Sequence, residues 1–126
     1  MIGVYLSGTG NTKHCIEKLI YLLDETAQAV PIEGKETVRL LSQHEFIVLA
    51  YPVQFSNAPV MVRNFIKDNS ELWKNKQVLC VATMGLFSGD GAGCSARLLK
   101  KCGASIVGGL HICMPDSICD VKLLKR

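Results

Sequence analysis

A short polar, glycine-rich segment near the N-terminus carries the clearest chemical signal in the sequence. It consists of Ser7, Gly8, Thr9, Gly10, Asn11 and Thr12 and directly follows the apolar run Ile2–Leu6. The apolar run predicts a buried strand, and the apolar periodicity after Asn11 predicts a helix. Backbone N–H groups at a helix start lack intrahelical partners, and hydroxyl groups donate to anions. The segment is therefore predicted to bind an anion such as a phosphate.

The order of residues separates this segment from two common phosphate-binding motifs. The dinucleotide fingerprint has a third small residue where this chain has Lys13. The nucleoside-triphosphate loop requires Gly-Lys followed by Ser or Thr, whereas Lys13 follows Thr12. A plain strand-to-helix turn capped by Asn11 or Thr12 is the simpler alternative. Such a cap needs one polar side chain, and this segment has four.

The elements that must position this segment follow from the apolar pattern, which alternates between strand and helix. Strands are predicted at Ile2–Leu6, Ala27–Ile32, Phe46–Ala50, Val78–Thr83 and Ser105–Met114, the last with a weak point at Gly108 and Gly109. Helices are predicted at Asn11–Glu25, at Glu36–Gln43, from about Pro59 with Asn57 as its cap, and at Gly91–Cys102 closed by Gly103. This alternation is typical of right-handed crossovers and of a parallel sheet between two helical layers.

Length and composition narrow the class of protein. The chain has 126 residues, enough for one domain with a core, and 48% of them are hydrophobic, which argues against disorder. The net charge of +3 is spread along the chain, so nucleic-acid binding is not expected. The apolar runs are too short to span a membrane, and the N-terminus has no signal-peptide pattern, so a cytoplasmic location is expected.

The cysteines show no metal-binding spacing. None of Cys15, Cys80, Cys94, Cys102, Cys113 and Cys119 forms a Cys-x-x-Cys pair. This argues against zinc and against an iron–sulfur cluster within the chain. Most of the cysteines fall in predicted strands or on helix faces, and free buried thiols are therefore expected rather than a disulfide framework.

The segment from Ser7 to Thr12 resembles the flavodoxin phosphate loop, Ser/Thr-x-Thr-Gly-Asn-Thr, which wraps the monophosphate of FMN. The resemblance implies a flavodoxin-like α/β fold, a doubly wound five-stranded parallel sheet of order 2-1-3-4-5 in a three-layer sandwich. It places FMN at the switch point between strands one and three. Together with Tyr51-Pro52-Val53 and the glycine-rich loop after strand four, the chain resembles the N-terminal domain of flavodoxin–ferredoxin fusion proteins. Residues 1–126 are thus expected to form one FMN-binding domain, with a short or truncated final helix.

The resemblance implies that three loops contact FMN. The first is the phosphate segment. The second loop contains Tyr51, Pro52, Val53, Gln54, Phe55, Ser56 and Asn57. The third follows Thr83, the last residue of strand four, and contains Met84, Gly85, Phe87, Ser88, Gly89 and Asp90. Tyr51, Phe55 and Phe87 are candidates to stack on the ring, with a core position as the alternative for Tyr51. Thr83 is expected to reach the ribityl chain or the ring edge. Asp90 either lowers the flavin potential or is a solvated turn residue.

Three functions remain open at the level of sequence. The first is electron transfer by noncovalent FMN to a partner protein or a linked ferredoxin-type domain, with no catalytic side chain. The second is an FMN-dependent two-electron reductase of a quinone or porphyrinogen, because the loop after strand three lacks the glycine that helps flavodoxins stabilise one-electron-reduced flavin. The third is a phosphate-binding or signalling domain without flavin. It is disfavoured, because no acidic pair follows strand one and no Cys-x5-Arg motif closes a loop. The oligomeric state is left open.

Overall fold

The computed structural model describes residues 1–6, 11–52, 59–84 and 91–113, and the side chains of 11, 84, 91–94 and 111–113 are not part of that description. Within these ranges strands alternate with helices as the apolar pattern predicts. The strands are β1 (Ile2–Tyr5), β2 (Gln28–Pro31), β3 (Phe46–Pro52), β4 (Gln77–Met84) and β5 (Ser105–Cys113). The helices are α1 (Asn11–Leu23), α2 (Thr37–Ser42), α3 (Val60–Asp68) and α4 (Gly91–Lys101), and a 3-10 turn, Ser70–Trp73, precedes β4.

The strands form one parallel sheet in the order β2-β1-β3-β4-β5, which confirms the expected fold class. The register pairs Tyr5 of β1 with Ala50 of β3, and Pro52 of β3 with Thr83 of β4. Because the strands are parallel, the carboxyl ends of β1, β3 and β4 lie beside one another at one edge of the sheet. The direction of winding reverses between β1 and β3, and ligands of such sheets bind at that point.

A hydrophobic core lies on each face of the sheet. On one face α1 packs Ile16 and Ile20 against Val48 and Val81. The other face is covered by α2, α3 and α4, and its cluster includes Leu49, Ile66 and Leu99. Val48 and Leu49 are adjacent in β3 and face opposite layers. This explains why the apolar residues of β3 run without interruption, as expected for a strand buried on both faces.

The end of α4 and the start of α3 can be compared with the boundary residues predicted from the sequence. Gly103 adopts a φ of 95° after α4, and the Ala104 N–H donates to the Leu99 carbonyl at 3.1 Å, so the predicted closure at Gly103 is confirmed. Pro59 stands one residue before α3 with an extended ψ of 150°, so it is the cap position rather than part of the first turn. The predicted cap Asn57 lies outside the described residues.

The outer strand β5 contains a bulge near the predicted weak point. Val78 pairs with Ile106 and Leu79 pairs with Gly108, so Val107 is the extra residue on β5. Val107 is 49% exposed, and the irregularity stands directly before Gly108 and Gly109. A bulge on an outer strand interrupts the regular row of backbone groups that would otherwise pair with another chain.

One of the described cysteines departs from the expectation of free buried thiols. Cys80 and Cys102 are free, whereas Cys15 is disulfide-bonded. Burial raises the pKa of the Cys80 thiol to about 12, because the thiolate is poorly solvated in the core. The prediction was wrong for Cys15, because the sequence does not show which thiols the fold brings together.

Candidate functional site

At the carboxyl edge of the sheet, backbone hydrogen bonds between neighbouring strands continue beyond the ends of β1 and β2. The Leu6 N–H donates to the Ala50 carbonyl at 3.0 Å, and the Ile32 N–H donates to the Tyr5 carbonyl at 2.7 Å. These bonds hold the residue after β1 in the plane of the sheet. They fix the point from which the chain leaves for α1, and so they place the start of α1 at the switch point.

Two buried threonines meet at this edge. The Oγ1 atoms of Thr12 and Thr83 are 3.0 Å apart and form a hydrogen bond, and each residue is only 3% exposed. Thr12 lies in the first turn of α1, and Thr83 is the residue before the end of β4. The bond therefore crosses over β3 and joins the start of the first helix to the end of the fourth strand.

The pair retains hydrogen-bonding capacity. Each hydroxyl carries one proton and accepting lone pairs, and the shared bond uses one of the two protons. Within the described part of the chain the other proton has no acceptor, so it can be donated to a further group. The first turn of α1 holds no acidic side chain, and Lys13 and His14 beside Thr12 are exposed. Helix-start N–H groups favour negative charge, so this surrounding suits an anion.

Tyr51, the first aromatic candidate, lies in the core. Its side chain is fully buried, in the cluster that also contains Val62 of α3 and Ala82 of β4. This matches the core alternative for Tyr51 rather than a ring at the surface of the edge. Pro52, the last residue of β3, is half-buried.

The remaining predicted contacts are not described by the structure. Asn11 and Met84 are placed only as backbone, at the start of α1 and the end of β4. The others lie outside the described residues and stay predictions: Ser7, Gly8, Thr9, Gly10, Val53, Gln54, Phe55, Ser56, Asn57, Gly85, Phe87, Ser88, Gly89 and Asp90. The structure thus brings together Thr12 and Thr83. Both are predicted contacts of the ligand, Thr12 for the phosphate and Thr83 for the ribityl chain or the ring edge.

The described residues also form a groove away from the switch point. A groove of about 520 Å³ is lined by Ser70, Glu71, Lys74, Lys101 and Cys102. These residues precede β4 and β5, so the groove lies at the opposite, amino edge of the sheet. Across the described ranges, no cluster of His, Cys, Asp or Glu side chains is arranged to hold a metal ion. No helix in these ranges is both long and apolar enough to cross a bilayer.

Comparison with known proteins identifies the family. A family model described as a flavodoxin domain matches residues 2–104. The chain belongs to the flavodoxin family. Comparison with curated protein sequences gave no match.

Solved flavodoxins share the fold of this flavodoxin-family chain. The Megasphaera elsdenii flavodoxin in its two-electron reduced form is 25% identical, with a TM-score of 0.75 over 94% of this chain and 90% of that one. An archaeal flavodoxin is 18% identical, with a TM-score of 0.78 over 90% and 82%. A Fusobacterium nucleatum flavodoxin bound to flavin mononucleotide is 22% identical, with a TM-score of 0.67 over 85% and 68%.

Proposed function

We propose that this flavodoxin-family chain binds FMN noncovalently and transfers electrons to a partner protein or to a linked ferredoxin-type domain. Family membership supports the proposal, as does the likeness to a flavodoxin that holds flavin mononucleotide. The observation that carries it furthest is the buried hydroxyl pair, Thr12 and Thr83, at the switch point. We expect the protein to act in the cytoplasm.

The described residues fit the phosphate end of FMN. Thr12 has a buried hydroxyl in the first turn of α1, and no carboxylate stands there to repel an anion. The six residues from Ser7 to Thr12 match the flavodoxin phosphate loop in sequence. Because helix-start N–H groups and hydroxyls are all donors, the donor set suits a group whose oxygens only accept.

In this proposal the cofactor and the protein have separate roles. When bound, FMN supplies the one- and two-electron redox chemistry. The chain binds the phosphate at the start of α1 and orients the flavin along the carboxyl edge. In this proposal Phe55 and Phe87 cover the ring faces and exclude water, and Tyr51 supports the edge from the core. No side chain need donate or accept a proton as a catalyst.

A two-electron reductase of a small acceptor, such as a quinone or porphyrinogen, is the second candidate. One observation favours it: residues 51–57, the end of β3 and the residues that follow it in the sequence, contain no glycine. A glycine there would give the backbone conformations that other residues disfavour, and flavodoxins use such a glycine to support one-electron-reduced flavin. Without it, the site gives less support to the one-electron-reduced flavin, and transfer of two electrons together is favoured.

Stepwise anaerobic reduction of the FMN-loaded protein tests the proposal. An electron carrier should show the long-wavelength absorbance of one-electron-reduced flavin at half reduction. Direct passage to the fully reduced spectrum, together with turnover of a quinone, would favour the reductase. A protein that retains no FMN after gel filtration, under conditions where a known flavodoxin does, would contradict both.

A further inference from the structure

We propose that Thr83 is a positioning residue for the phosphate site at the start of α1. In this proposal the Thr83 hydroxyl donates to Thr12 Oγ1 and leaves the Thr12 proton for a phosphate oxygen. The inference rests on the proposed function, because it assigns Thr83 a place in that same site. It differs from the expectation that Thr83 itself contacts the flavin.

The backbone of both residues is firmly held. Thr83 lies in an inner strand, paired with Pro52 of β3 on one side and with Ile112 of β5 on the other. Thr12 belongs to a helix that is anchored to the sheet by the buried residues Ile16 and Ile20. A β-branched side chain has few χ1 rotamers, so a fixed backbone limits its hydroxyl to few positions. The 3.0 Å bond therefore joins two groups whose positions are restricted by the sheet and by α1.

The direction of the hydrogen bond follows from a count of protons. Thr12 has a single O–H, and a phosphate oxygen that carries no proton only accepts. If Thr12 donates to the phosphate, the bond between the two hydroxyls must run from Thr83 to Thr12. Such a chain of hydroxyls polarises along its length, which strengthens the bond to the anion in a site shielded from water.

Positioning and direct contact differ in the part of the ligand that they serve. With its one proton donated to Thr12, the Thr83 oxygen can still accept from a ribityl hydroxyl, so the two roles are separated by ligand affinity and not by the proton count. A positioning role acts through the phosphate alone, so it is absent for riboflavin, which lacks the phosphate. A direct contact with the flavin would serve FMN and riboflavin alike. The ratio of the two affinities therefore reports on the role of Thr83.

The experiment compares the dissociation constants of FMN and riboflavin by flavin fluorescence. Thr83→Val keeps the side-chain shape and removes the hydroxyl. We expect FMN affinity to fall about tenfold, because the variant weakens the charge-assisted hydrogen bond from Thr12 to the phosphate. Riboflavin affinity should stay within about twofold. Thr83→Ser should restore most of the FMN affinity. In a Thr12→Val background, Thr83→Val should cause no further loss, because its effect passes through Thr12.

The control variant is Thr37→Val. Thr37 is another buried threonine, and its hydroxyl donates to the Pro31 carbonyl at 2.5 Å rather than to a group at the switch point. This variant should lower the stability of the fold without changing the ratio of FMN to riboflavin affinity. If Thr83→Val does not fold, Thr83→Cys serves the same comparison, because a thiol is a weak donor.

Two results would overturn the inference. Equal losses for FMN and riboflavin in Thr83→Val would assign Thr83 to direct contact, and additive losses in the double variant would show that it acts independently of Thr12. If the wild-type protein binds neither flavin, the proposed function fails first. Inorganic phosphate then replaces FMN as the probe, and a rise in Tm that is lost in Thr83→Val would preserve the positioning role. No response to phosphate would contradict both.

Discussion

Thr12 and Thr83 are 71 positions apart in the chain, yet their hydroxyls share a 3.0 Å hydrogen bond that is shielded from solvent. The bond joins the helix that follows the first strand to the end of the fourth strand. It thereby connects two of the elements whose ends meet at the carboxyl edge of the sheet. The contact has consequences for the stability of the fold as well as for ligand binding.

The first prediction concerns the two hydroxyls as a pair. Thr12→Val should lower the free energy of unfolding by about 1–3 kcal/mol, because it leaves the Thr83 hydroxyl buried without its partner. Replacing both threonines by valine removes both polar groups, so the double variant should be more stable than the sum of the single losses predicts. Urea unfolding of the four proteins, without ligand, measures this coupling.

A matched control for this cycle is Ser95→Ala. Ser95 Oγ is buried, and among the described residues no hydrogen-bond partner of that atom is found. Its removal should change the unfolding free energy far less than Thr12→Val. Strictly additive losses in the Thr12 and Thr83 cycle would mean that the hydrogen bond contributes nothing measurable.

The second prediction concerns the close approach of α1 to β1. A Cβ atom at Gly3 would overlap Ile20 Cδ1 and lie 3.1 Å from Ile16 Cδ1. Gly3→Ala should therefore destabilise the protein by about 1–3 kcal/mol, as expected for overpacking of a close-packed core. Adding Ile20→Val to Gly3→Ala removes the overlapping methyl group and should recover part of that loss. Thermal unfolding of Gly3→Ala, of the double variant and of wild type checks this, and equal stability of Gly3→Ala and wild type would contradict it.

The third prediction concerns pH. Burial, followed by the charges of the N-terminal amine and of Lys76, lowers the pKa of His44 below its usual 6.5. The N-terminal amine lies 3.3 Å from His44 Nδ1, and Lys76 Nζ donates to the His44 carbonyl at 2.7 Å. The unfolded chain thus binds a proton at His44 more readily than the folded one, so the unfolding free energy should fall as pH drops below about 6.5.

His44→Gln is the test of this assignment, because glutamine does not titrate. The variant should show a flatter dependence of unfolding free energy on pH between 7 and about 5. Hydrogen bonds from the Thr26 side chain and backbone lower the pKa of Asp24 below 3.8. Asp24 therefore changes its protonation only at more acidic pH and does not contribute to the slope between pH 7 and about 5. An unchanged slope in the variant would exclude His44 as the source.

The fourth prediction concerns thiol reactivity. Cys80 is fully buried with a pKa of about 12, whereas Cys102 is partly exposed and free. The thiolate is the reactive form, so iodoacetamide at pH 8 should modify Cys102 in the folded protein and Cys80 only after unfolding. Peptide mapping by mass spectrometry assigns the label to each cysteine, and Cys102→Ser provides the background. Rapid labelling of Cys80 in the folded protein would contradict its burial.

Local patterns were sufficient to predict the elements of the fold. The unbroken apolar run Phe46–Ala50 and the glycine at 103 are signals carried by neighbouring residues, and the structure confirms both. The strand order 2-1-3-4-5 is not local. It was predicted from the resemblance of Ser7 to Thr12 to the flavodoxin loop, and the sheet confirms it.

The features that sequence analysis missed depend on contacts between distant positions. Thr12 and Thr83 were both candidate ligand contacts, but no periodicity indicates that their hydroxyls meet. The disulfide at Cys15 and the bulge at Val107 likewise depend on how separate elements pack and pair. Tyr51 is buried because helices cover both faces of β3. The sequence predicts those two helical layers, but it does not show how far each side chain of β3 is buried.

The central claim is that the start of α1 holds the phosphate of FMN, and the most direct test is a fluorescence titration of FMN and of riboflavin with the wild-type apoprotein. We expect quenching to saturate at one FMN per chain, and riboflavin to bind at least about tenfold more weakly, since it lacks the group that the helix start and Thr12 recognise. Equal affinity for the two flavins would show that the phosphate is not bound at this site. Absence of quenching by either would contradict the proposed function itself.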